Sequence, residues 1–214
     1  ACGVTAPRGN NNPASARPSV SPIAFLNAAH KAGMKHSDAY AHNPYPARPH
    51  VEGPLSDGCG SCHSVTMSTL GQLLRETAKA WGPKRIWLTE YGYQTNPPDP
   101  VFGVSPAAQA RYVAEAALRV FRAPRVDLLV QFLLRDDADP DGWQSGLFTA
   151  RGVAKPASRA FPLPVVQVAR RGAVTTLWGQ VRRHAARRPY RVQNAGNRRW
   201  LGGTRHTDMR GFFQ

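Results

Sequence analysis

No run of about 18 apolar residues occurs in the 214-residue sequence, so no segment reads as a membrane-spanning helix. The opening Ala1-Cys-Gly-Val-Thr5 has neither a basic start nor an apolar stretch, and so is not itself a secretory signal. An initiator Met is also missing, and the sequence stops at Gly211-Phe-Phe-Gln214 inside a strand-like run. A piece of a longer protein is therefore expected. Cysteine is scarce: Cys2, Cys59 and Cys62 make an odd count. Cys59-Gly-Ser-Cys62-His63 matches the C-x-x-C-H pattern of haem attachment, and C-x-x-C also occurs in redox and zinc sites. A haem needs a packed apolar pocket, whereas this motif follows Gly53-Pro-Leu-Ser-Asp-Gly58, a loop composition. A local disulfide or an idle pair is the preferred reading over haem or metal.

Acidic residues are also few, 13 against 28 Lys and Arg. The imbalance is local. Residues 1–150 hold 14 Lys/Arg and 12 Asp/Glu, whereas residues 151–214 hold 14 against Asp208 alone. The tail is mainly Arg, accompanied by Ala, Gly and Pro, as a GC-rich genome writes a surface. Arg182-Arg183, Arg187-Arg188 and Arg198-Arg199, interleaved with Trp178, Tyr190 and Trp200, leave a nucleic-acid or adhesion role as a rival. An accessory β module is preferred, and no nucleic-acid partner is expected.

The hydrophobic content of 42% is that of a chain that buries a core. Up to about residue 160, short apolar runs alternate with helical patterns, as in a parallel α/β sheet. The strand candidates are Cys2 to Thr5, Asp38 to His42, Arg85 to Glu90 and Val126 to Leu134. Ser21-Pro22 starts a helix that runs to about Lys31, with Ser as N-cap and Gly33 as the stop. Thr66 to Trp81 reads as a second helix and Ser105-Pro106 as the start of a third. From Phe161-Pro-Leu-Pro164 onward the texture changes to short β-like runs separated by Gly and Arg. The expected division is therefore residues 1–161 and residues 162–214, the second a small antiparallel β module.

Polar residues follow directly on the strands: Asn43-Pro-Tyr45, Glu90-Tyr-Gly-Tyr93 and Arg135-Asp-Asp137. In a β/α barrel the loops leaving the strands' C-terminal ends build the active site. Glu90, at the end of a strand anchored by Ile86 and Leu88, is placed to act as a rigidly aimed carboxylate, with Trp87, Tyr91 and Tyr93 supplying aromatic surface. A retaining glycosidase needs such a nucleophile and a second carboxylic acid about 5 to 5.5 Å away. A Glu that caps a loop or pairs with Arg is the alternative.

Trp87-Leu-Thr-Glu-Tyr-Gly92 resembles the nucleophile strand, the seventh, of the clan of retaining barrel glycosidases that includes cellulase-like family five and family thirty-nine. Asp38-Ala-Tyr-Ala-His-Asn-Pro-Tyr-Pro46 is similar to the clan's sixth strand. Leu129 to Asp137, followed by Ser145-Gly-Leu-Phe-Thr-Ala-Arg-Gly-Val-Ala-Lys-Pro-Ala157, is similar to the eighth strand and its exit. The resemblance implies an α/β fold: the C-terminal half of a (β/α)8 TIM barrel followed by the β module. It implies Glu90 as nucleophile, with His42, Asn43 and Tyr45 beside it, and Tyr91, Tyr93, Arg135 and Asp136 as substrate-binding candidates. Tyr45 as loop packing, and Arg135 with Asp136 as a mutual ion pair, are the structural alternatives. The partner implied is a β-linked carbohydrate, with no cofactor or metal and an extracellular setting; a non-catalytic carbohydrate-binding barrel is the runner-up.

Two departures from the clan's pattern stand out. The chain contains no Asn-Glu dipeptide, the clan's general-acid signature, and its other Glu residues are Glu52, Glu76 and Glu115 only. The acid is therefore expected upstream of Ala1. Phe132 also stands where many relatives carry a Trp.

Overall fold

The computed structural model describes residues 1–58, 63–182, 186–194 and 196–214. Cys59 and Cys62 lie outside these, so the C-x-x-C-H reading falls outside the described residues. Four strands, β1 (Cys2–Thr5), β2 (Ala39–His42), β3 (Arg85–Tyr91) and β4 (Val126–Gln131), form one sheet in that order. Every neighbouring pair is parallel. Parallel neighbours need a crossover, and three helices supply it: α1 (Pro22–Lys31), α2 (Leu70–Trp81) and α3 (Pro106–Phe121).

The helix starts follow from local chemistry, with two corrections to the expectations. Pro106 opens α3 and the Ser105 hydroxyl accepts from the Ala108 N–H at 3.2 Å, a true N-cap. At α1 Pro22 plays the same role, but Ser21 makes no side-chain cap. Its hydroxyl accepts from the Asn11 amide at 2.9 Å instead, tying the helix entry to the β1 exit loop. The second helix begins at Leu70 rather than Thr66. The hydroxyls of Thr66 and Ser68 are taken up by the Glu52 carboxylate, which also accepts from the Ala47 N–H at 2.9 Å. Short hydroxyl side chains bonded outside the helix favour turn over helix.

The core lies between sheet and helices: Leu26 of α1, Tyr40 of β2, Leu70 and Leu73 of α2, Ile86 and Leu88 of β3, and Ala116 of α3 are all buried. The inner strands β2 and β3 are covered, whereas the outer ones are not. Val4 of β1 and Leu128 and Val130 of β4 are exposed apolar residues.

A short helix α4 (Ala157–Ala160) leads into the β-rich layer, which is built of two small antiparallel sheets. Strands β5 (Val165–Arg171), β6 (Val174–Gln180) and β9 (Phe212–Phe213) pair antiparallel, and β7 (Pro189–Gln193) with β8 (Trp200–His206) makes a separate ribbon. The three-stranded sheet packs on α3: Val166, Trp178 and Phe212 meet Ala114, Ala117 and Leu118. The Phe121 ring lies 5.3 Å from Trp178 and 4.5 Å from Phe212. The ribbon is tied to this sheet by Tyr190, stacked on Phe213 at 4.5 Å. Of the aromatics interleaved with the Arg pairs, on which the rival polyanion reading rested, Trp178 is thus buried in packing and Tyr190 is stacked, while Trp200 remains exposed under the Arg191 guanidinium.

Candidate active site

Side chains alternate along a strand, but a register shift against β4 between Leu88 and Tyr91 breaks that alternation near the end of β3 and separates two functions. Ile86 and Leu88 anchor it in the core, and Glu90 opens at its C-terminal end into a cleft of about 920 Å³ that it shares with Asn43, Tyr45 and Trp143. That volume lies in the range of about 300–1,000 Å³ usual for ligand sites. Gly92 follows because β4's exit crowds it: a Cβ there would collide with the Phe132 carbonyl oxygen.

Tyr45, on the loop after β2, donates its hydroxyl proton to Glu90 Oε2 at 3.0 Å. It is the only hydrogen-bond partner of the Glu90 side chain among the described residues, so one carboxylate oxygen is anchored and the other is left for a ligand. Burial and then the neighbouring Glu90 charge push the Tyr45 pKa well above its ordinary value, so the phenol stays a donor. Beside this pair the Thr89 hydroxyl donates to Asn43 Oδ1 at 2.7 Å, fixing the β2 exit against β3. Tyr45 in turn packs on Trp143, 5.1 Å between centroids, and stands edge-on to Phe132 at 6.3 Å.

Not every expected residue joins this group. His42 is fully buried and does not line the cleft. Its Nε2 donates to the Val65 carbonyl at 2.8 Å, which leaves Nδ1 to accept from the Thr5 hydroxyl at 2.8 Å. Burial outweighs these bonds and lowers its pKa to about 4, so it is a neutral strut between β1, β2 and the loop leading to α2. Tyr91 does not line the cleft: past the register shift after Leu88 it is buried against α3, in the core cluster that holds Ile86 and Leu88. Tyr93 lines the cleft, but its hydroxyl donates to the Glu52 carbonyl and its ring packs on Tyr112 at 4.5 Å.

Arg135 and Asp136 also correct the expectation. Arg135 is exposed and outside the cleft lining. Asp136 is buried and pairs with Lys155 at 2.7 Å rather than with Arg135. Burial lowers the Lys155 pKa, with the Asp136 bond opposing. The Lys155 ammonium also donates to Thr95 Oγ1 at 2.8 Å and to the Gln144 carbonyl at 3.1 Å. One buried cation therefore clamps the β3 exit loop to the β4 exit loop, and these two loops form one side of the cleft, the loops after β1 and β2 the other.

Sequence reasoning missed Trp143, Phe102 and Arg8, which also line the cleft. Trp143 and Phe102 lie several residues into loops, beyond the first positions after each strand. The signal available was an aromatic directly after a turn, Asp139-Pro-Asp-Gly-Trp143. The remaining glutamates are engaged elsewhere: Glu52 as described, Glu76 with Lys79 at 2.8 Å, and Glu115 with Arg111 at 3.5 Å.

Neither a protein-family model nor a curated protein matches this sequence. Among solved structures, the chain is similar to a family 39 glycoside hydrolase from the gut symbiont Bacteroides cellulosilyticus WH2, at 18% identity and a TM-score of 0.51 over 81% of this chain and 40% of that one. It is also similar to the β-D-glucuronidase of Dictyoglomus thermophilum, at 19% identity and a TM-score of 0.44 over 59% of this chain and 22% of that one. A β-glucuronidase of an uncultured Clostridium sp. matches at 21% identity and a TM-score of 0.42, over 58% and 22% of the two chains. The chain thus spans less than half the length of these structures, and its likeness to glycoside hydrolases is one of fold.

Proposed function

We propose that this chain forms the nucleophile-bearing half of a retaining β-glycosidase barrel, with Glu90 as the nucleophile. The observation that carries the reading is the Tyr45–Glu90 pair at the C-terminal edge of a parallel sheet, opening on a cleft of ligand size. One Glu90 oxygen, held by Tyr45, orients the carboxylate; the other attacks the anomeric carbon as the bond to the leaving oxygen breaks. Water then hydrolyses the glycosyl ester with retention. The proton that the leaving oxygen needs comes, in this reading, from a glutamic acid outside these 214 residues, because the sequence holds no Asn-Glu pair and Glu52, Glu76 and Glu115 are each committed to other partners.

The half-barrel reading is supported by the edge strands. β1 and β4 carry exposed Val4, Leu128 and Val130, apolar positions that four further strands would cover. Residues 162–214 then serve as an accessory layer on α3, and the whole enzyme acts on carbohydrate outside the cell.

The test is hydrolysis of unactivated β-glycosides by the 214-residue chain. No turnover is expected. Turnover that Glu90→Gln abolishes would place the proton donor within these residues and reject that part of the proposal, whereas turnover that survives Glu90→Gln would reject Glu90 itself.

A further inference from the structure

We propose that the outer part of the cleft binds an apolar, aromatic aglycone, so that the preferred ligand is a glycoside carrying such a group rather than a chain of sugars. The inference rests on the carbohydrate reading of Glu90 and Tyr45. Beyond that pair the cleft is walled by Phe102, Pro98 and Pro100 from the β3 exit loop and by Trp143 and Pro140 from the β4 exit loop. Phe102 is 53% and Trp143 43% exposed, and Val101 beside Phe102 is 64% exposed.

Side chains this apolar are held in water by a firmly built backbone. Asp99 Oδ1 accepts from the Val101 and Phe102 N–H groups at 2.8 and 3.0 Å. The Gly103 N–H donates back to the Asp99 carbonyl at 3.2 Å, and no room exists there for a Cβ. His50 Nε2 lies 2.9 Å from the Val101 carbonyl and ties the turn to the β2 exit loop. Thr95, at the base of the loop, is held by the buried Lys155. Apart from the Thr95 bond, all of these use backbone groups of residues 101–103 and none uses the side chain of Val101 or Phe102, so the turn forms equally well with polar side chains at 101 and 102. The apolar choice is not needed for folding.

The wall is also poor in donors. Three of its residues are prolines, which have no N–H, and Phe102 offers no polar atom. The polar groups of the lining, Arg8, Asn43, Gln94, Asp99 and Asp141, lie beside this wall. A second sugar stacked on Phe102 and the prolines would leave the hydroxyls that face them without partners, at a cost that an aryl group avoids. The Trp143 ring, 5.1 Å from Tyr45, makes the apolar surface continuous with the Glu90 site.

Matched methyl, phenyl and disaccharide β-glycosides of several sugars would be titrated into the 214-residue chain and into Phe102→Ser and Val101→Ser, with Kd read by calorimetry and folding checked by thermal melting. The phenyl member is expected to bind about tenfold more tightly than its methyl and disaccharide counterparts, the gain from partly burying one ring. Phe102→Ser is expected to remove most of that preference, weakening the phenyl member several-fold more than the methyl one, with the melting temperature unchanged. Equal binding of methyl and phenyl members, tighter binding of the disaccharide, or a preference untouched by both variants would overturn the inference and leave the carbohydrate reading standing. Binding of no glycoside at all would overturn both.

Discussion

Replacing Lys155 with Met tests whether the wall of the cleft depends on one buried cation. Lys155 and Asp136 have side chains only 5% and 3% exposed, 2.7 Å apart. Met has similar length but no charge, so Asp136 would keep the Gly146 N–H at 2.8 Å and lose its counter-ion. Breaking a buried pair by removing one partner costs about 3–5 kcal/mol, mostly the penalty of the stranded charge. For a chain of this size each kcal/mol is worth roughly 2–4 °C of melting temperature, so a fall of about 10 °C is expected. The double variant Lys155→Met with Asp136→Asn removes the stranded charge and keeps the acceptor for Gly146, and should recover more than half of the loss. Thermal unfolding followed by calorimetry reads both. A single variant within about 2 °C of the parent, or a double variant no more stable than the single, would refute the reasoning.

Further outcomes follow from other buried groups. His42, with a pKa lowered to about 4 in the folded chain and an ordinary value of 6.5 unfolded, binds its proton more readily unfolded. Its contribution is complete above the unfolded value, shrinks as pH falls through the window between the two, and totals about 3 kcal/mol. Denaturant titrations of the parent and His42→Gln across that window should show a steeper acid loss in the parent; equal slopes would contradict the neutral-strut assignment. Trp178→Ala should cost about 3–5 kcal/mol by emptying the space between β5, β6 and α3. Urea unfolding would expose an error there as a loss below about 1 kcal/mol. Glu52→Gln exchanges an acceptor for an amide group among the Thr66, Ser68 and Ala47 donors, and should cost about 2 kcal/mol. Hydrogen exchange should then show lost protection at the Ala47 amide, whereas unchanged protection there would argue against the Glu52 hub.

The parallel sheet was legible because its strands are short apolar runs set between helices whose starts are marked by Ser-Pro, and α1 and α3 begin at Pro22 and Pro106 as those signals require. Glu90 was legible from its place at a strand end. Tyr91 was not legible as a core residue, because a shift in the pairing of β3 with β4 after Leu88 turns it, and not Glu90, toward Ile86 and Leu88. The misassigned residues owe their roles to distant partners. His42 is committed by Thr5 and Val65, and Asp136 by Lys155, each many positions away in sequence. A polar residue after a strand reads the same whether it faces a ligand or a buried cation. Trp143 and Phe102 were missed because they lie deep in loops whose path is fixed by Lys155 and Asp99, and no local pattern shows which way such a loop folds back.

The central claim is that the free oxygen of Glu90 attacks an anomeric carbon. A 2-fluoro β-glycosyl fluoride tests it in this chain without an acid, because fluoride leaves unprotonated and the glycosyl group remains on the nucleophile as an ester. Incubation with such reagents across several sugars, followed by peptide mass spectrometry, should find one glycosyl group per chain on the peptide bearing Glu90, and none in Glu90→Gln. Labelling of a different carboxylate, with Glu90 unmodified, would contradict the account.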